Sequence, residues 1–172
     1  MDQRVLDLRS VFGITARVTV SSTDAPDGAV EMEVVAEPGA RTLIHYHPDQ
    51  EETYQVLEGT LEVLRSGQWE AVPASGSLSV PPGAIHGFRN PGEDPVRFLN
   101  THRPGAALEA HLKTVDRLAR AGKIRGTKDM RSLIYLSMSS VRHRPDVVIK
   151  PPGWVVQAMA LLGRLLGYRL DA

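Results

Sequence analysis

GARTLIHYHPDQEETYQVLEG, residues 39–59, sets two histidines one residue apart and a pair of glutamates between two glycines. In an extended chain alternate side chains share a face, so His45 and His47 point one way and Tyr46 the other. If ETYQVLE, residues 52–58, forms a neighbouring strand, Glu52, Tyr54 and Val56 share a face as well. Two imidazoles and a carboxylate converging from adjacent strands suit a divalent metal, provided another ligand arrives from elsewhere. Taken alone, a His-x-His pair is more often a solvated or packed feature than a ligand set.

The surrounding sequence decides what this stretch belongs to. Segments 14–22, 29–37, 52–58, 60–66, 76–81, 84–90 and 95–102 are short and rich in Val, Leu, Ile, Thr or Phe. Turn signals such as Pro26-Asp27-Gly28, Pro38-Gly39, Ser66-Gly67 and Asn90-Pro91-Gly92 separate them. That punctuation predicts an all-β sandwich or barrel. After His102-Arg103-Pro104-Gly105 the period changes to a helical one. Leu108, Leu112, Val115, Leu118 and Ala119 define a first helix, which Gly122 is placed to stop. Asp129 can cap a second, carrying Leu133, Ile134 and Val141 and ending before Pro145. A third has Pro151 and Pro152 at its start and a wide apolar stripe, Trp154, Val155, Ala158, Leu161, Leu162, Leu165 and Leu166. Such a stripe is expected to pack on the barrel or on a second subunit. Peripheral membrane contact, assisted by Arg164 and Arg169, is the sharper alternative.

Composition bounds the chemistry. A chain of 172 residues can bury a core without disulfides, and it has no cysteine, so a thiolate metal site is excluded. The N-terminus MDQRVLDLRS lacks an apolar signal core, and the charge-free stretch Pro151–Gly163 is shorter than the roughly 20 residues that span a bilayer. The expectation is a cytoplasmic protein. Zero net charge hides a split: residues 1–102 carry 7 basic and 15 acidic groups, residues 103–172 carry 13 and 5. The opposite signs predict that the tail docks on its own barrel or on a neighbouring subunit, as in a homodimer. Nucleic acid is a poor partner, because the strongest helix offers apolar groups where base edges need polar ones.

A second constellation, GSLSVPPGAIHGFRN at 76–90, supplies a third histidine, His86, after a Pro-Gly turn. Gly39, five residues, His45-x-His47, four residues, Glu52, six residues, Gly59 resembles the first cupin motif at every spacing. Pro81-x-Gly83, His86 and Asn90 resemble the second, although four residues rather than five separate Gly76 from Pro81. The slip touches the preceding turn and not the ligand-bearing strand. The resemblance covers about residues 30–102.

It implies a mainly β protein: a cupin jelly-roll β-barrel over residues 1–103, followed by a helical extension of about three α-helices over 104–172. The ligands carried over are His45, His47, Glu52 and His86, with Glu51 on the outer face. Gly39, Gly59 and Gly83 are expected in tight turns, with Asn90 structural. Three imidazoles and one carboxylate suit Fe, Mn, Ni, Cu or Zn as one divalent ion. The implied function is a metal-dependent enzyme acting on a small organic molecule, dioxygenase-like first and isomerase or decarboxylase next. The alternative is a non-catalytic ligand-binding or sensor cupin. Tyr54 is expected to line the cavity near the metal as a catalytic group, and Phe88 to form part of the substrate-binding wall. Arg97 either points inward at an anionic substrate or lies outside, with Val96, Phe98 and Asn100 as the inward set. His102, His111 and His143 are read as surface or packing residues.

Overall fold

The computed structural model describes residues 4–144, the backbone of 147–148, and 151–171. Its first elements are β1 (Val5–Leu8), the one-turn helix α1 (Arg9–Phe12), β2 (Ile14–Val20), β3 (Val30–Ala36) and β4 (His45–Tyr46). Then come β5 (Glu51–Glu58), β6 (Thr60–Arg65), β7 (Gln68–Pro73), β8 (Ser77–Val80), β9 (Gly87–Arg89) and β10 (Val96–Arg103). The C-terminal part is α2 (Ala106–Arg120), α3 (Met130–His143), β11 (Val147–Val148) and α4 (Gly153–Leu165). One antiparallel sheet runs β1-β2-β3-β10-β5-β8, a second runs β7-β6-β9, and β11 returns to pair with β4.

Period-two alternation builds the core. β3 buries Val30, Met32, Val34 and Ala36, while Glu31, Glu33 and Val35 face outward. β10 buries Val96, Phe98, Asn100 and His102 on the same side, because Asn100 stands opposite Met32 and Tyr54, and His102 opposite Val30 and Glu52. Across the interior the smaller sheet contributes Leu61, Val63 and Phe88. The Phe88 and Phe98 rings meet edge to face at 5.3 Å and join the two sheets.

Besides the two-residue β11, two strands escape the sequence pattern. β7 buries only Val72, so it carries almost no alternation to read. β1 is four residues long and lies in a charged stretch, yet it pairs with β2 and buries Leu6 and Leu8.

The tail packs through small residues and buried acids. At Gly105, where the chain turns into α2, a Cβ would lie 2.3 Å from Val30 Cγ1 and 2.5 Å from its backbone nitrogen. Only glycine lets the tail start this close to the sheet. α2 buries Leu108, Leu112, Val115 and Leu118. The Glu109 carboxylate accepts hydrogen bonds from the Ser21 and Ser22 hydroxyls, at 2.8 and 2.6 Å, and from the Ser22 N–H. Asp116 accepts the Asp7 N–H at 2.7 Å. These acids of the basic tail make the contact to the barrel, so the net charge split is not its mechanism there.

Asp129 caps α3 by accepting the Ser132 N–H at 2.9 Å. The helix ends at His143; Pro145, the expected stop, lies outside the described residues. α4 packs on α3 by the face opposite the one expected. Ala160 and Gly163 are buried, and a Cβ on Gly163 would meet Met138 Sδ at 2.4 Å and Ile134 Cγ2 at 2.6 Å. The broader stripe turns outward, with Trp154 72% and Leu165 77% exposed. Close approach of two helices favours the small-residue face, whatever the hydrophobicity of the other. Among the described residues no helix is long and apolar enough to cross a membrane.

Burial raises the Glu109 carboxyl, but hydrogen bonds from Lys113, Ser22 and Ser21 outweigh it and bring its pKa from 4.5 to about 2. A depressed folded-state pKa contributes stability above the unfolded value, and that contribution is lost as pH falls through the folded one. Glu109→Gln is therefore expected to lower stability by about 1–3 kcal/mol at pH 7 in urea unfolding. The gap to wild type should shrink between pH 4.5 and about 2, the window set by the shift. A gap independent of pH would contradict this role for the carboxylate.

Candidate metal centre

The two halves of the site are tied by backbone. His45 N–H donates to His86 O at 2.9 Å, and His86 N–H donates to His45 O at 2.8 Å. The Gly83 N–H then caps His47 O at 2.8 Å, drawing the Pro81-Pro82-Gly83 turn against the first histidine strand. Gly39, Gly59 and Gly83 all have positive φ, +80°, +82° and +77°, as expected of their turns. Asn90 locks the far end: its Nδ2 donates to Ala36 O and Asp94 O, and its Oδ1 accepts the Gly92 N–H.

This frame brings His45, His47, Glu52 and His86 together. One ligand atom from each lies within 4.8 Å of the others, and all four side chains are buried. The imidazole orientations fit a cation. His45 Nδ1 lies 2.7 Å from Leu43 O and His86 Nδ1 lies 2.8 Å from Ala84 O, contacts that place the ring proton on Nδ1 and the lone pair on Nε2. His86 Nε2 faces Glu52 Oε2 at 2.6 Å, so this ring has acceptors at both nitrogens. With its Nδ1 proton directed at Ala84 O, Nε2 is free to serve as one of the donors to a cation. Glu51 is exposed and points away.

Charge favours the same reading. Burial lowers the His45 pKa to about 4, so the ring is neutral at pH 7 and can donate a lone pair. Burial alone would raise Glu52, yet the imidazoles of His102, His47 and His86 hold it well below its ordinary value.

Two residues that the sequence did not mark as ligand supports complete the site. Asn100 Nδ2 donates to Glu52 Oε1 at 2.9 Å, and His102 Nε2 donates to Asn100 Oδ1 at 2.9 Å. His102 packs edge-on against His47 at 5.1 Å between ring centres, and burial lowers its pKa to about 4. The signal was the alternation Val96, Phe98, Asn100, His102 on β10. His102 is thus a packing residue, as expected, but one inside the site. His111 and His143 pack among the helices, against Ser139 and Thr114.

The remaining candidates divide. Phe88 lines the cavity beside the cluster. Arg97 does not: β10 alternation turns it outward, where it pairs with Glu33 at 2.9 Å and with Glu58. Its role as a substrate ligand is corrected accordingly. Tyr54 stands in the packed wall and not on the cavity surface, fully buried with its ring 6.1 Å from Phe88 and 6.0 Å from Phe98. Burial and the neighbouring Glu52 charge push its phenol well above its ordinary pKa, so the proton stays on. The cavity itself measures about 1210 Å³, with His45, His47 and Glu52 in its lining.

Comparison with known proteins agrees with this geometry. Residues 32–102 match the family model described as Cupin domain. The chain is 37% identical over 93 residues to polyketide synthase CurC of Streptomyces cyaneus, covering 54% of this chain and 56% of that protein. It is 33% identical over 94 residues to protein SchB of Streptomyces halstedii, covering 50% and 62%. The matches thus span under two thirds of either relative's length. Among solved structures, a predicted oxalate decarboxylase from Thermotoga maritima superposes with a TM-score of 0.50 at 20% identity, over 52% of this chain and 79% of that one. That likeness is one of fold. The likeness to the cupin family thus extends over residues 32–102, most of the barrel.

Asn100→Leu keeps all four ligands but removes the donor that fixes Glu52. It is expected to weaken metal binding by about 10–100-fold in chelator competition. Arg97→Ala should leave affinity unchanged within about twofold, since its charge is exposed and paired outside the barrel. Equal losses in the two variants would contradict the assignment.

Proposed function

We propose that this chain is a metal-dependent enzyme acting on a small organic molecule held in the barrel cavity, in the cytoplasm. Its working unit is a cupin barrel over residues 1–103 with a helical extension over 104–172. The observation that carries this reading is the buried His45, His47, Glu52 and His86 cluster in contact with a large, mostly apolar cavity. A bound divalent ion would supply Lewis-acid polarisation, or a platform for oxygen and substrate together.

The chain's own residues do the rest. Asn100 and His102 hold Glu52 in one orientation, and Leu43 O and Ala84 O hold the imidazoles of His45 and His86. Phe88 presents an apolar surface to the substrate and helps to exclude water. Tyr54, expected as a catalytic group, stays protonated in the packed wall and does not line the cavity. The 37% identity to a protein named polyketide synthase supports a polyketide-like substrate. Dioxygenase-like chemistry is our first choice, from the ligand set. Isomerisation or decarboxylation without oxygen is the second.

An assay separates them. Protein loaded in turn with Fe(II), Mn(II), Ni(II), Cu(II) and Zn(II) is incubated with polyhydroxylated aromatic acids of the polyketide type. Mass spectrometry and an oxygen electrode follow the reaction. A product heavier by two oxygen atoms, with matching oxygen uptake, establishes a dioxygenase. A product formed without oxygen uptake establishes the second reading. Absence of turnover with every metal would point to a ligand-binding or sensor module.

The outward stripe of α4 is the surface we assign to a homodimer, since each copy offers an acidic barrel to the other's basic tail. Gel filtration should give about twice the 18.8 kDa chain mass. Trp154→Ser with Leu165→Ser should run as a monomer; a monomeric wild type would contradict the assignment.

A further inference from the structure

We infer that the helical extension forms half of the substrate site, and that the site takes an elongated, mostly apolar molecule with a polar head at the His/Glu cluster and an anionic group at an arginine rim. This inference rests on the enzyme reading above and names its substrate class.

The cavity is not confined to the barrel. Met32, Val34 and Phe88 of the sheets face Leu133, Leu136 and Met159 of α3 and α4 across one continuous space of about 1210 Å³. Pockets for drug-sized ligands measure roughly 300–1,000 Å³, so a two-carbon acid or a single sugar would leave most of this wall wet. An apolar wall favours an occupant that removes it from water. The metal cluster marks one polar end, because His45, His47 and Glu52 share that lining.

Outside the cluster, the charged side chains lining the cavity are arginines. Arg41, Arg144 and Arg164 line it and are exposed, so they stand at its rim. They come from both parts of the chain: Arg41 precedes β4, Arg144 follows α3, and Arg164 lies on α4. Among the described residues none of the three has a carboxylate partner, in contrast to Arg65, Arg89, Arg97 and Arg120, each of which has one. Guanidinium groups bind planar oxyanions as bidentate forks, so a carboxylate or a phosphate ester suits the rim. An apolar body between a metal-binding head and an anionic end satisfies all three regions at once.

The probe is 11-(dansylamino)undecanoate, titrated by fluorescence into the full chain with and without added metal. Metal content is measured on the same samples. One saturable site per chain is expected, with dodecanoate or dodecyl phosphate displacing the probe better than dodecanol; the better of the two anions identifies the group the rim prefers. The triple variant Arg41→Gln, Arg144→Gln, Arg164→Gln should weaken the probe by about tenfold while leaving dodecanol competition unchanged. Leu136→Glu, at a half-buried wall position of the tail, should weaken probe and dodecanol alike. Trp154→Ser with Leu165→Ser, outside the cavity, should change neither. The inference is overturned by absence of saturable binding, by equal binding to the triple variant, or by loss of binding in the Trp154/Leu165 variant. Metal retained without probe binding would remove this inference and leave the enzyme reading. Probe binding in a chain that takes up no metal would do the reverse.

Discussion

The pair of backbone hydrogen bonds between His45 and His86 is the constraint on which the site depends. These residues lie far apart in sequence, on segments that belong to no long strand, and the bridge aligns their side chains without either ring having to hold the other. Glu52 reaches the same point from the larger sheet, in register between Val80 on β8 and His102 on β10. Four groups that would repel or waste desolvation energy separately become a coherent donor set once brought together. The carboxylate is surrounded by imidazoles, and two of those rings are anchored through Nδ1 by backbone carbonyls.

The helices do a different job. They extend the apolar cavity outward from the cluster and add the arginines Arg144 and Arg164 to its lining. α2 holds them to the barrel by burying its own acids, Glu109 and Asp116, on hydroxyl and amide donors of the N-terminal strands and loop. The β11–β4 pairing brings the tail back beside His45 and Tyr46. A barrel that holds the cluster and a tail that shapes the volume can vary separately.

The cluster was legible in two ways: alternation puts His45 and His47 on one face, and the resemblance to the two cupin motifs supplied Glu52 and His86. Asn100 and His102 were harder. β10 carries apolar residues on both faces, Val96 and Phe98 on one and Leu99 on the other, so its inward side is decided by register with β3 and β5. Register is a non-local property, and it also settled that Arg97 belongs outside. Tyr54 shares its face with Glu52 as expected, but depth in the barrel, which alternation does not encode, puts it in the packing. The α4 face was misread for a related reason. Both faces are poor in charge, and close approach at Ala160 and Gly163 outweighs a count of apolar residues.

The central claim is that His45, His47, Glu52 and His86 hold one metal ion. The most direct measurement is metal analysis by mass spectrometry of protein purified without an affinity tag, together with the His47→Ala and His86→Ala variants. One equivalent of a single divalent metal per wild-type chain, lost in both variants while the fold persists by circular dichroism, is the result expected. A folded wild-type chain that carries no metal and takes up none on reconstitution, or variants that retain a full equivalent, would contradict it.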